Sequence, residues 1–263
     1  MLVAGLVFLA IAAGLFAAGR SQKRKLEVLE KTETLTTADL KSRAAAQAGG
    51  RNFRQLAEVK GKIECAAPLS AELSGTPCVH YSMRVTREFE ETTFETDPDG
   101  NQIRKTRRGS DTVAENTRSV PFEVVDPSGR IQVDPNGAAM TADNVLSRFD
   151  PADSYGRAPS LGSFALDARR LPPSDPNRVV TGYRYEEQAI PVGREVFVLG
   201  EAAGSPPEIR KPENPKARFI ISLRSEESLK RSAGSAIGFL RAAAGLAGLA
   251  GLIMSLAAAL RLV

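Results

Sequence analysis

Between Val59 and Glu91 apolar and polar residues alternate with strict period two, and no other stretch limits the fold as much. Val59, Gly61, Ile63 and Cys65 share one face, with Lys60, Lys62 and Glu64 on the other. Further on, Val79, Tyr81, Met83, Val85 and Phe89 alternate with His80, Ser82, Arg84, Thr86 and Glu88. This spacing predicts two half-buried strands, apolar side inward and polar side wet. The connection between them runs from Pro68 to Pro77 and holds Ser74-Gly75, residue types that turn a chain. The pattern specifies a fold nucleus and shows no chemistry.

Both ends of the sequence are apolar. Residues 2–18 carry no charge and are followed at once by Arg20, Lys23, Arg24 and Lys25. A cleavable signal peptide is the rival reading, and Ala17-Ala18-Gly19 would suit its cleavage site. Signal peptides, however, carry their cations before the apolar run, and here only Met1 precedes it. Residues 242–260 form a second uncharged run, preceded by Lys230, Arg231 and Arg241. Each is long enough to span about 30 Å of hydrocarbon as a helix. The excess of Lys and Arg toward the middle of the chain predicts a cytoplasmic central domain with both ends outside. Arg20, Lys23, Arg24 and Lys25 are then expected to face lipid headgroups. Gly245, Gly248 and Gly251 leave one side of the second run nearly smooth, so it could pack against the first run or against another copy of the chain.

A net charge of +4 and a pI near 9.2 are mild, and no Lys/Arg run is interleaved with aromatic residues, so no nucleic-acid partner is expected. Two cysteines and one histidine cannot build an ordinary four-ligand zinc site without carboxylates. No metal or other cofactor is expected. In a reducing cytoplasm Cys65 and Cys78 would stay unpaired, Cys65 as a small core residue.

The remaining segments read in order as follows. Residues 20–50 form a juxtamembrane helical segment, with Thr36 or Thr37 capping a second helix through Asp39. Residues 51–225 form a β-rich domain. Within it, Asp97-Pro98-Asp99-Gly100 closes a long solvated hairpin returning through residues 103–108 and 112–118. Arg104, Lys105, Arg107 and Arg108 on that hairpin could meet anionic lipid. Asp126-Pro127-Ser128-Gly129 turns a second hairpin. Asp126, Asp134 and Asp143 read as turn acids and lack calcium-loop spacing. Residues 147–178 read as a flexible insert with a short element at 161–166. Strands follow at 183–190, 195–199, ended by Gly200, and 219–222. Residues 226–241 form a connecting helix that feeds the second apolar run. The expected fold is therefore α+β: a mainly antiparallel central domain with flanking helices and a transmembrane helix at each end.

These segments fall in an order that resembles a known family. Val59-Lys-Gly61-Lys-Ile-Glu64 is followed by Pro77-Cys78-Val-x-Tyr81 and by Asp126-Pro-Ser-Gly129. Tyr185-Glu-Glu187-x-Ala-Ile-Pro-Val-Gly193-Arg-Glu-Val-Phe-Val-Leu-Gly200 comes next, then Phe219-Ile-Ile-Ser222. The series resembles the GIDE, or "beside a membrane" (BAM), domain family, over roughly residues 26–231. The resemblance marks Gly61, Pro77, Cys78, Tyr81, Asp126, Gly129, Glu187, Gly193 and Gly200 as family-motif positions. It implies a domain that binds substrates or partners close to a bilayer. Mitochondrial relatives add a RING that makes them ubiquitin ligases. Here no cysteine follows Cys78 and the sequence stops three residues after the second apolar run, so the ligase step is not expected without a partner chain. The Ala/Arg/Gly-rich composition suggests a GC-rich bacterial genome, and hence a multi-pass protein of a bacterial inner membrane.

These residues are compatible with three functions. The first is a membrane-tethered scaffold whose partner is a protein, including a second copy of itself through the Gly/Ala-rich run. The second is an enzyme built on Cys78 and His80, which share a face if the strand is regular, though no orienting acid is evident. The third is a scaffold binding anionic lipid. No catalytic residue is assigned.

Overall fold

The computed structural model describes residues 2–47, 53–96, 98, 100–152, 158–167, 175–224 and 226–260. In chain order the elements are α1 (Leu2–Lys31), α2 (Thr37–Ala46), β1 (Arg54–Glu64), β2 (Leu69–Ser70), β3 (Pro77–Thr96), β4 (Gln102–Ser119), β5 (Phe122–Asp126), β6 (Gly129–Val133) and β7 (Ala139–Thr141). They continue with β8 (Asp143–Pro151), β9 (Ser160–Leu161), β10 (Phe164–Ala165), β11 (Arg178–Pro191), β12 (Glu195–Ala203), β13 (Glu208–Arg210), β14 (Ile220–Ser222) and α3 (Glu226–Leu260).

Five strands close on themselves. β1 pairs with both β12 and β5, β5 with β6, β6 with β13, and β13 with β12. Closure removes free edges within the ring. β14 extends it along the first half of β12, with β7 beside β14. Val59, Ile63, Val124, Ile131, Val133, Val198 and Ile209 fill the interior, supplied by alternate positions of each strand. Gly61 is required where β1 meets β5, because a Cβ there would lie 2.4 Å from the Val125 carbonyl oxygen.

The second sheet is antiparallel and open, with order β4-β3-β11-β8 and β2 beside the start of β3. Tyr81, Met83, Val85, Tyr185 and Ala189 form its apolar face and pack against Ala71, Leu73 and Phe164. β3 and β4 form the expected long hairpin, although Asp97 and Asp99 of its turn lie outside the described residues, and β4 runs unbroken where the sequence suggested two pieces. Three of its cations find partners across the hairpin. Lys105 meets Glu95, Arg108 meets Glu90 at 3.3 Å, and Arg104 donates to the Thr92 hydroxyl.

Four sequence expectations differ from the structure. Val79 does not share the Tyr81 face but enters the closed ring's core, because β3 holds an extra residue where His80 and Cys78 pair with Ile190 and Pro191. His80 is 7% exposed and not on a wet face. Residues 147–151, placed in an insert, belong to β8. Within 158–167, β9 and β10 form a hairpin whose Phe164 is buried; residues 153–157 and 168–174 of that span lie outside the described residues. Gly200 does not end a strand: β12 continues to Ala203, and Ile209 and Phe219 close over the glycine.

α1 and α3 are long enough and apolar enough to cross a membrane over Val3–Arg20 and Gly234–Ala258. They pack antiparallel and approach closely at Gly5 and Gly251, where a Cβ on Gly251 would lie 3.0 Å from the Gly5 carbonyl oxygen. Glycine at both positions lets the backbones meet. Of the three glycines singled out in the sequence, Gly251 makes the tight contact, a Cβ on Gly248 would lie 3.9 Å from the Ala12 Cβ, and a Cβ on Gly245 would meet open space. That 3.9 Å spacing is in the range a disulfide needs. Mild oxidation of the Ala12→Cys/Gly248→Cys double variant is expected to give a monomer cross-linked within itself. Cross-linked dimers on a non-reducing gel would instead mean that the spans pair between copies.

Candidate functional site

The motif positions gather in two places, one on each sheet. At the end of the closed ring, the Asp126 carboxylate accepts from the Thr37 amide at 2.7 Å and the Thr37 hydroxyl at 2.9 Å. It also accepts from the Ser128 amide at 2.8 Å, the Ser128 hydroxyl at 2.6 Å and the Gly129 amide at 3.0 Å. The turn acid of the β5–β6 hairpin is therefore also the dock for the first turn of α2. Thr36 caps that helix in a reciprocal box with Asp39, whose carboxyl is held low by the Thr36 hydroxyl. Burial works against the charged form of Asp126, but the hydrogen bonds from Ser128 and Thr37 outweigh it and hold its carboxyl below the ordinary value. A Cβ on Gly129 would press to 3.1 Å of the Thr37 hydroxyl. Gly193 has φ +78° in the turn from β11 to β12, and its amide donates to the Ile63 carbonyl at 2.8 Å. Gly61 lies in the same region, beside Val125, whereas Gly200 lies farther along β12, opposite Ala57.

The other group surrounds the turn between β2 and β3. Glu187, on β11, is fully buried, and its two oxygens accept from the Leu73 and Ser74 amides, both at 2.8 Å. Beside it Cys78 is buried, and burial, with the nearby Glu187 charge, pushes its thiol up to about 11. Tyr81 donates to Glu72 at 3.4 Å, and the Asn116 amide donates to both, at 2.7 Å to Glu72 and 3.2 Å to Tyr81. Ser163 of the β9–β10 hairpin closes the turn by donating to the Glu72 carbonyl at 3.0 Å. Pro77 stays exposed at the strand start, where its carbonyl accepts from the Val192 amide at 3.2 Å.

This arrangement holds chain segments together and is not set up for nucleophilic attack. The irregularity at Val79 removes the shared face that a regular strand would give Cys78 and His80. Cys78 joins the Tyr81 core, while the His80 ring sits 2.8 Å from the Ser119 hydroxyl, and burial lowers its pKa. At pH 8 only about a thousandth of Cys78 would be thiolate, given a pKa near 11. N-ethylmaleimide is thus expected to label the half-buried Cys65 in the folded protein and to reach Cys78 only as fast as the sheet opens. Rapid labelling of Cys78, read by mass spectrometry, would show that the thiol is accessible. Among the described residues no three His, Cys, Asp or Glu side chains converge as metal ligands would.

Arg20 and Lys23, two of the lipid-facing cations expected from sequence, are exposed on α1. Arg20 lies over the Phe16 ring at 5.9 Å. The side chains of Arg24 and Lys25 lie outside the described residues. Sequence reasoning missed the partners of the motif acids. The amides of residues 73 and 74 carry no side-chain signature, and Thr37 reads in sequence only as a candidate cap.

No curated protein and no solved structure matches the chain. A family model does. GIDE, described as an E3 ubiquitin ligase, matches residues 91–255, from the β3–β4 hairpin into α3. The match takes in Asp126, Gly129, Glu187, Gly193 and Gly200 and begins after Gly61, Pro77, Cys78 and Tyr81. Since more than half of its residues fit, the chain belongs to the GIDE family.

Proposed function

We propose that this protein is a membrane-tethered docking module, its β domain held at the cytoplasmic surface of a bacterial inner membrane and binding protein partners there. The supporting observation is that the domain is joined at both ends to apolar helices that pack on each other. Two tethers confine the domain to a thin layer, so modest affinity suffices for a partner in the same membrane. The buried carboxylates and the high thiol pKa favour a binding role over covalent chemistry. The family match favours a second reading, in which the domain serves ubiquitin transfer beside a partner chain that supplies a zinc-binding module.

Reporter fusions at both termini and within residues 157–175 test the topology; both ends outside with the loop inside is the expected result. Cross-linking in intact membranes should capture one reproducible protein partner, lost when the domain is detached from its helices. The purified chain, given activating and conjugating enzymes, is expected to build no ubiquitin chains unaided. Turnover by the chain alone would overturn the docking reading.

A further inference from the structure

Away from their tight contact, α1 and α3 part to leave an open-sided groove of about 560 Å³ lined by Ala12, Ala13, Phe16, Arg241, Ala244 and Gly245. Its floor is made of alanine and glycine, and a Cβ added to Gly245 would meet nothing within 4 Å. Two guanidinium groups mark one end. Arg241 is part of the lining, and Arg20 lies over Phe16. Gly19 and Leu240, the residues just before them, face each other so closely that a Cβ on Gly19 would lie 3.8 Å from the Leu240 Cβ, which sets the two cations at one level of the helix pair.

An apolar slot ending in two cations has the shape and charge of an anionic phospholipid. A cation on a spanning helix is costly unless it finds water or an anion, and basic pockets between spans bind anionic headgroups. Guanidinium also suits phosphate, which it can grip with two parallel hydrogen bonds. We propose that the groove holds one anionic membrane phospholipid, its phosphate on Arg20 and Arg241 and an acyl chain along Ala12, Ala13, Ala244 and Gly245. The proposal rests on reading α1 and α3 as membrane spans.

The test uses the full chain reconstituted in mixed phosphatidylcholine/phosphatidylglycerol vesicles, with a trace of spin-labelled phosphatidylglycerol or phosphatidylcholine to measure the lipid held at the protein. Wild type is expected to favour phosphatidylglycerol, and Arg241→Gln to lower that preference roughly fivefold, the effect of one cation near the surface. Gly245→Leu should fill the groove and abolish the preference while the Ala12→Cys/Gly248→Cys cross-link still forms. Arg148→Gln, an exposed cation on β8 outside the groove, should leave the preference unchanged. An undiminished preference in Gly245→Leu, or an equal fall in Arg148→Gln, overturns the proposal. Release of the wild-type chain from vesicles by alkaline carbonate would overturn the span reading and the lipid site together.

Discussion

Glu187→Ala is expected to destabilise the β domain by about 3–5 kcal/mol, because it strands two amides and leaves a cavity. The Leu73 and Ser74 N–H groups each lie 2.8 Å from an oxygen of Glu187, whose side chain is fully buried. Hydrogen bonds to a carboxylate contribute more than neutral ones, and a buried donor left without its acceptor costs about 1–3 kcal/mol. Glu187→Gln keeps the shape but offers only one acceptor oxygen and turns an amide toward a second donor, so roughly 2–3 kcal/mol is expected. On heating the detergent-solubilised protein, loss of the sheet's circular-dichroism signal should come about 10 °C earlier in the alanine variant. The same variant should expose Cys78 to maleimide, since the 71–76 turn that Glu187 holds packs over it. A Glu187→Ala protein that melts with wild type would show that the turn is held by the Leu73 and Phe164 packing alone.

Acid should release α2 from the hairpin that docks it. Asp126 has a folded-state pKa below its unfolded value, so its contribution is fully present above the ordinary carboxylate range, near pH 4, and is lost as pH falls through the lowered folded value. The α2 amides are then expected to exchange with solvent faster from about pH 4 downward while the ring's core amides stay protected. Asp39 titrates in the same direction and contributes to the same transition. Asp126→Asn should weaken docking by about 1–3 kcal/mol at pH 7 and leave only the Asp39 part of the acid response. An α2 exchange rate in Asp126→Asn equal to wild type at pH 7 would rule out this carboxylate as the dock.

The readable parts of this fold are those set by local chemistry. The alternation in β1, the Thr36 cap, the long β3–β4 hairpin, the Asp126–Gly129 turn and the two apolar helices all depend on residues close in sequence, and all are present. What stayed hidden depends on distant partners. The extra residue at Val79 does not disturb the apolar–polar rhythm, so nothing local reports that one side chain has changed cores. β8 reads as loop because Asp143, Asn144, Ser147, Arg148 and Asp150 suit an edge strand with one neighbour as well as they suit solvent. Gly200 reads as a stop, yet it is the one residue that fits beneath Ile209 and Phe219. Glu187 sits beside Glu186 in an ordinary-looking acidic pair, and only amides more than a hundred positions earlier distinguish the buried acid from the exposed one.

α1 continues as helix from Arg20 to Lys31 before the chain turns into α2. At 1.5 Å per residue that is roughly 16 Å of rod beyond the apolar window. If, as proposed, the two apolar helices cross a bilayer with Arg20 at the headgroups, this rod is longer than one headgroup layer is thick and would lift the sheets off the lipid surface. A binding partner anchored in the same bilayer would then have to raise its contact region to that height, which selects by stature before any side chain is compared.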